Sequence, residues 1–151
     1  MDKICGDPDI GHVEKLYSEL LKSVCGRFGL SAIEAKIIGA LKFCPDAYTA
    51  GEIAAAKLLS KGNVSTAVDK LIRRGFLWSE TDKTDRRRIN LYLTPAAEPI
   101  CAGIGDCLKL FDECVFAGFT AEEKAVFNAL KERMAANARA ASRRFKRDGD
   151  R

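Results

Sequence analysis

Histidine occurs once in these 151 residues, as His12. With no second imidazole and no Cys-x-x-Cys pair, the close ligand spacing of a zinc site is missing, so no metal and no other cofactor is expected. A thiol enzyme built on cysteine and His12 finds no evident base with an orienting partner, so no catalytic residue is assigned. Long apolar runs are missing too: none approaches the roughly 18 residues of a membrane span. The first fifteen residues lack the apolar stretch of about 7–15 residues that a secretory signal needs. The expectation is a cytoplasmic protein with no membrane partner. Six cysteines, at 5, 25, 44, 101, 107 and 114, are then expected as reduced thiols rather than a disulfide framework. A disorder signature is also absent, with 47% apolar and 30% charged residues.

What the chain does have is charge in the wrong place for a plain soluble domain. The net charge is +4, yet residues 57–88 carry nine basic and four acidic side chains, while the segments on either side are slightly acidic. Residues 139–151 are basic again, with six cations against two acids. A basic block inside an acidic chain points to a local polyanion contact, although a solvated face carries the same composition.

The hydrophobic pattern is helical almost throughout. Val13, Leu16, Leu20 and Val24 form a stripe over 12–25, closed by Gly26 and Gly29. Ser31-x-x-Glu34 is a capping box opening a second helix that Pro45 ends, and Thr49-x-x-Glu52 opens a short third helix to about Ala56. Ser60 caps a fourth, which runs to Arg74 and stops at Gly75. Two strand-like runs follow, at 76–80 and 89–93, joined by a polar, cationic loop. Thr94-Pro95 starts a fifth helix, with Thr94 as its cap, that Gly118 breaks. Thr120-x-x-Glu123 opens a last one that frays after about Ala141, leaving 142–151 as a basic, mobile tail.

Helix, short turn, helix and hairpin is the order of a winged helix-turn-helix, whose second helix enters the major groove. Val64, Val68, Leu71 and Ile72 give the fourth helix one apolar face, while Lys61, Asn63, Ser65, Thr66 and Lys70 point elsewhere and suit base edges and phosphates. The hairpin tip carries Lys83, Arg86, Arg87 and Arg88, all read as exposed, with Asp85 placed to pair with an arginine. Such arginines suit a narrow minor groove.

Residues 49–94 resemble the multiple-antibiotic-resistance regulator (MarR) family. The likeness rests on Leu71-Ile72-Arg73-Arg74-Gly75-Phe76 at the junction and on Asp85-Arg86-Arg87 followed by Leu93-Thr94 in the wing. With the flanking helices it extends over roughly 10–141. It implies a mainly α fold with a small β-hairpin wing: a winged helix-turn-helix over 31–93, and N- and C-terminal dimerisation helices over 1–30 and 94–141. It implies a sequence-specific DNA-binding transcriptional regulator, most simply a repressor. The regulator would bind a pseudo-palindromic double-stranded operator as a homodimer, and a small-molecule or redox signal would release it. In that reading the major groove meets Lys61, Asn63, Ser65, Thr66 and Lys70. Arg87 enters the minor groove held by Asp85, and Arg86 lies on the backbone.

The resemblance also implies a small aromatic or anionic effector, for which His12, Tyr17 and Phe43 are candidates, with Phe28 and Trp78 behind them. The hydroperoxide-sensing branch keeps a cysteine where this chain has Ile10 to Val13, and the zinc-sensing branch needs several histidines; neither pattern is present. Cys101, Cys107 and Cys114 are read as small apolar residues of the fifth helix, and Cys5 as the most exposed thiol. The alternative from another class is a winged-helix interaction module whose basic face binds an acidic partner.

Overall fold

A computed structural model of the chain describes residues 8–44, 48–57 and 59–149. The elements are α1 (Pro8–Phe28), α2 (Ala32–Phe43), α3 (Ala50–Ala56), α4 (Lys61–Arg73), β1 (Leu77–Thr81), β2 (Ile89–Leu93), a 3-10 turn over Pro95–Ala97, α5 (Glu98–Val115) and α6 (Ala121–Gly149). This is the expected fold class: mainly helical with a two-stranded antiparallel hairpin, in which Leu77 faces Leu93 and Thr81 faces Ile89. Cys5 and Pro45 lie outside the described residues.

Local chemistry explains most boundaries. At each of α2, α3 and α6 a hydroxyl accepts from the amide three residues on, while the glutamate there accepts from the cap's own amide: Ser31 with Glu34, Thr49 with Glu52, Thr120 with Glu123. Each box settles two amide donors that a helix start leaves unpaired. The end of α4 is closed by Gly75 at φ 79°, with Gly75 N–H donating to Ile72 O and Phe76 N–H to Leu71 O. That six-to-one bond assigns Phe76 to the helix cap. The strand therefore starts at Leu77 rather than at residue 76.

Four expectations are corrected. α1 starts at Pro8 and runs through Gly26; only Gly29, at φ 62°, ends it. Thr94 makes no side-chain cap, because its hydroxyl donates to Gly75 O at 2.6 Å and ties the end of the wing to the end of α4. α6 continues to Gly149 instead of fraying at Ala141. Residues 135–147 are rich in alanine and arginine, among the strongest helix formers, and charge alone gives no reason for a helix to stop. Cys114, expected to be packed, is exposed, whereas Cys101 and Cys107 are buried.

Contacts divide the chain into two compact units, Met1–Asp112 and Glu113–Arg151. In the first, Ile37 and Ile38 of α2, Ile53 of α3, Val64 and Leu71 of α4 and Ile100 and Ile104 of α5 are at most 1% exposed, with Leu77 and Leu91 of the hairpin closing one side. α1 packs on α2. Within the first unit, α1 and α5 up to Asp112 thus share one core with residues 31–93. In the second unit Phe116 meets Phe119 and Phe127 edge to face at 5.5 and 5.4 Å. Val126, Phe127, Leu130 and Met134 of α6 remain roughly half exposed.

Candidate nucleic-acid interface

α4 is held from below and open above. Ser60 Oγ accepts from Asn63 N–H at 3.3 Å, and Val64, Ala67, Val68 and Leu71 are buried against α2 and α3. A helix with a buried stripe at this spacing must present its other residues outward. Lys61, Asn63, Ser65, Thr66 and Lys70, the five residues expected to meet DNA, are all exposed. Thr66 spends its hydroxyl proton on Gly62 O at 3.1 Å, which leaves it an acceptor only. Asp69 is exposed among them and was missed by sequence reasoning. Its carboxylate repels phosphate, and at a base edge it can only accept, as from a cytosine amino group. Asn63, Thr66 and Lys70 also line a shallow groove of about 320 Å³ with Ser31 and Glu34 of the neighbouring helix start.

Arg74, at the other end of α4, is structural. Its guanidinium donates to Phe28 O at 2.8 Å and Gly29 O at 2.9 Å, and lies 5.1 Å from the Phe76 ring centre.

The tip of the hairpin is organised by Asp82. Its Oδ1 accepts from the amide and the hydroxyl of Thr84 at 2.8 and 2.6 Å and from Asp85 N–H at 3.1 Å, while Oδ2 accepts from Asn90 Nδ2 at 3.2 Å. The Thr84 hydroxyl, then the two amides and Asn90, hold this carboxyl well below the usual aspartate range. Lys83, Asp85, Arg86 and Arg87 are exposed. Asp85 Oδ1 accepts from the backbone N–H of Arg87 at 3.0 Å, so it fixes the arginine through its main chain rather than its guanidinium.

Arg88 departs from the sequence reading, which left it free at the tip. Its Nη2 pairs with Glu52 Oε1 at 2.8 Å and its Nε donates to Asn90 Oδ1 at 3.0 Å. Burial opposes the charge on Glu52, but the amides of Tyr48 and Thr49 and the Arg88 guanidinium outweigh it, and the carboxyl is held below its usual value. No short-range signal marks this pair, because its partners lie far apart in the chain.

A cavity of about 620 Å³ opens elsewhere in the first unit, lined by Tyr17 and Val13 of α1, Lys36 of α2, Lys57 after α3 and Leu108 and Phe111 of α5. Tyr17 and Phe111 meet edge to face at 5.6 Å. Burial, then the neighbouring thiols of Cys107, Cys44 and Cys25, raise the Tyr17 hydroxyl, which stays protonated as a donor. Of the three effector candidates only Tyr17 lines this cavity. His12 is exposed, and Phe43 is exposed with its ring tip against the backbone at Gly105. Phe28 lines a separate groove between α1 and α5, and Trp78 stacks on Tyr92 across the hairpin at 4.4 Å. Among the described residues no group of three or more His, Cys, Asp or Glu could hold a metal ion, and no helix is long and apolar enough to cross a membrane.

A capped helix presenting polar residues, followed by a cationic hairpin pinned to its end, defines the winged helix-turn-helix class. Residues 28–88, the segment that carries the winged helix-turn-helix, match the model of the MarR family. Solved structures agree in fold. A MarR-family transcriptional regulator from Silicibacter pomeroyi superposes with a TM-score of 0.75 at 23% identity, over 85% of this chain and 86% of that one. Apo wild-type MarR from E. coli gives 0.63 at 19%, over 88% and 98%. Bordetella bronchiseptica BpsR, a protein whose DNA binding is regulated by 6-hydroxynicotinic acid, gives 0.62 at 15%, over 89% and 97%. No curated protein matches the chain in sequence.

Proposed function

We propose that the chain is a cytoplasmic, sequence-specific transcriptional regulator, most simply a repressor. It binds a pseudo-palindromic operator as a homodimer and is released by a small molecule. The reading assigns it no catalytic step. The observation that carries it is the joint exposure of Lys61, Asn63, Ser65, Thr66 and Lys70 on α4 and of Arg86 and Arg87 on the wing, with none of their cationic groups in an ion pair among the described residues. α4 reads bases in the major groove, Arg87 enters the adjacent minor groove, and Arg86 lies on phosphates. An acidic protein partner needs no arginine pair at a hairpin tip, so DNA is favoured over an interaction module.

Two copies join through the helices that flank the winged segment, here 1–30 and 94–141. Support comes from apolar surface left open in each unit, Ile10 and Val13 of α1 in one and Val126, Leu130 and Met134 of α6 in the other. The effector is aromatic and anionic. The cavity beside Tyr17 offers rings for stacking and the cations Lys36 and Lys57 for a carboxylate. Duplexes selected from a random pool by the purified chain should converge on two inverted half-sites about one helical turn apart. Recovery of unrelated sequences with uniform affinity would overturn the reading.

A further inference from the structure

Glu52 belongs to α3, outside both elements assigned to DNA, yet polar contacts connect it to the wing without a break. Its Oε2 accepts from the amides of Tyr48 and Thr49 at 2.9 and 3.0 Å, and its Oε1 meets Arg88 at 2.8 Å. Arg88 donates to Asn90, Asn90 donates to Asp82, Asp82 accepts from Asp85 N–H, and Asp85 accepts from Arg87 N–H. The line ends on the backbone of the residue assigned to the minor groove. A second strut runs beside it, with Leu91 N–H donating to Tyr48 O at 2.7 Å. A two-stranded hairpin is marginal by itself, and the outer positions of this one are exposed from Trp78 to Ile89, apart from the half-buried Asp82 and Arg88. Its angle to the body of the domain therefore depends on such struts.

We propose that the Glu52–Arg88 pair is a latch that sets the angle of the wing, making Glu52 a positioning residue for DNA binding that never touches DNA. The proposal rests on the DNA-binding reading above. Opening the latch leaves α4 in place and lets Arg86 and Arg87 wander. Affinity then falls through lost pre-organisation, with no contact deleted.

The informative variant is Glu52→Gln. Glutamine serves at the third position of a capping box, so α3 keeps its cap while Arg88 loses its charged partner. Binding is measured on a labelled duplex selected by the wild-type chain, at fixed salt, for Glu52→Gln, Arg88→Ala, the double variant and Arg87→Ala. Glu52→Gln is expected to bind about tenfold more weakly, the worth of one charge-assisted hydrogen bond. The double variant should be no weaker than Arg88→Ala alone. Trp78, the only tryptophan in the chain, reports the wing directly, and its fluorescence anisotropy should drop in Glu52→Gln with the helical signal unchanged.

Simple electrostatics predicts the opposite sign, since removing an acid near a polyanion strengthens binding. Equal or tighter binding by Glu52→Gln overturns the latch, as does additivity in the double variant, which would make Arg88 an ordinary phosphate contact. Wild-type affinity in Arg87→Ala removes the DNA reading and the latch with it. Loss in Arg87→Ala without loss in Glu52→Gln removes the latch alone. Should Glu52→Gln fail to fold, Asn90→Ala breaks the same line one link further on without touching the cap, and is expected to weaken binding equally.

Discussion

Removing Arg87 tests the interface through salt as well as through affinity. The structure limits how many cations each protomer can give to phosphates. On α4 and the wing, Lys61, Lys70, Arg73, Lys83, Arg86 and Arg87 are exposed and unpaired among the described residues. Arg88 is held by Glu52 and Arg74 by the carbonyls of Phe28 and Gly29, so neither counts. Each neutralised phosphate contributes about 0.9 to the slope of log affinity against log salt, giving at most about −5.4 per protomer and about −11 for a dimer. Arg87→Ala in both protomers should reduce that slope by up to about 2 if the arginine meets phosphate. If it meets base edges, it should instead cost about 1–3 kcal/mol per contact with a smaller change in slope. The assay is anisotropy of a labelled duplex between about 50 and 200 mM salt. Lys109→Ala, on the exposed face of α5, serves as control. A slope near zero, or one that Lys109→Ala shifts as much as Arg87→Ala does, would refute the placement of the duplex on α4 and the wing.

Leu71→Ala should destabilise the fold by about 2–5 kcal/mol, because Leu71 is fully buried under α4 and its loss leaves a cavity; a thermal melt within a degree of wild type contradicts the core described. Glu52 and Asp82 are both held below their usual values of 4.5 and 3.8. A depressed carboxyl contributes stability that is complete above its unfolded value and is lost as pH falls through its folded one. Trp78 emission should therefore stay flat from pH 7 to about 5 and change only in stronger acid; a transition above pH 5 argues against ordered carboxylates in the wing. Burial raises the thiols of Cys25 and Cys101, whereas Cys114 is exposed. Brief alkylation at neutral pH should label Cys114 ahead of both, as read by peptide mass spectrometry, and labelling of Cys101 first would contradict the packing of α5.

The parts of the site legible in the sequence are those fixed within a few residues. Ser60 and Gly75 bracket α4, the spacing of Val64, Val68 and Leu71 selects its buried face, and Asn63, Thr66 and Lys70 follow as its open one. His12, Tyr17 and Phe43 share no local pattern, and of the three only Tyr17 lines the cavity whose cations come from α2 and the turn after α3. Thr94 shows the same limit, since its hydroxyl had a local amide within reach and took the distant Gly75 carbonyl instead.

By itself, then, the sequence determined where α2, α3, α4 and α6 begin and where α4 ends, which face of α4 is apolar and that a cationic hairpin follows it. These depend on hydrogen bonds and periodicities spanning three or four residues, whose closure costs little chain entropy. Tertiary structure alone decided that Arg88 turns inward to Glu52 while Arg86 and Arg87 stay free, and that Asp85 grips a backbone amide. Three adjacent arginines have the same propensities and the same charge. What separates them is which one the packed body of the domain meets with a carboxylate, and that carboxylate comes from a helix remote in the chain.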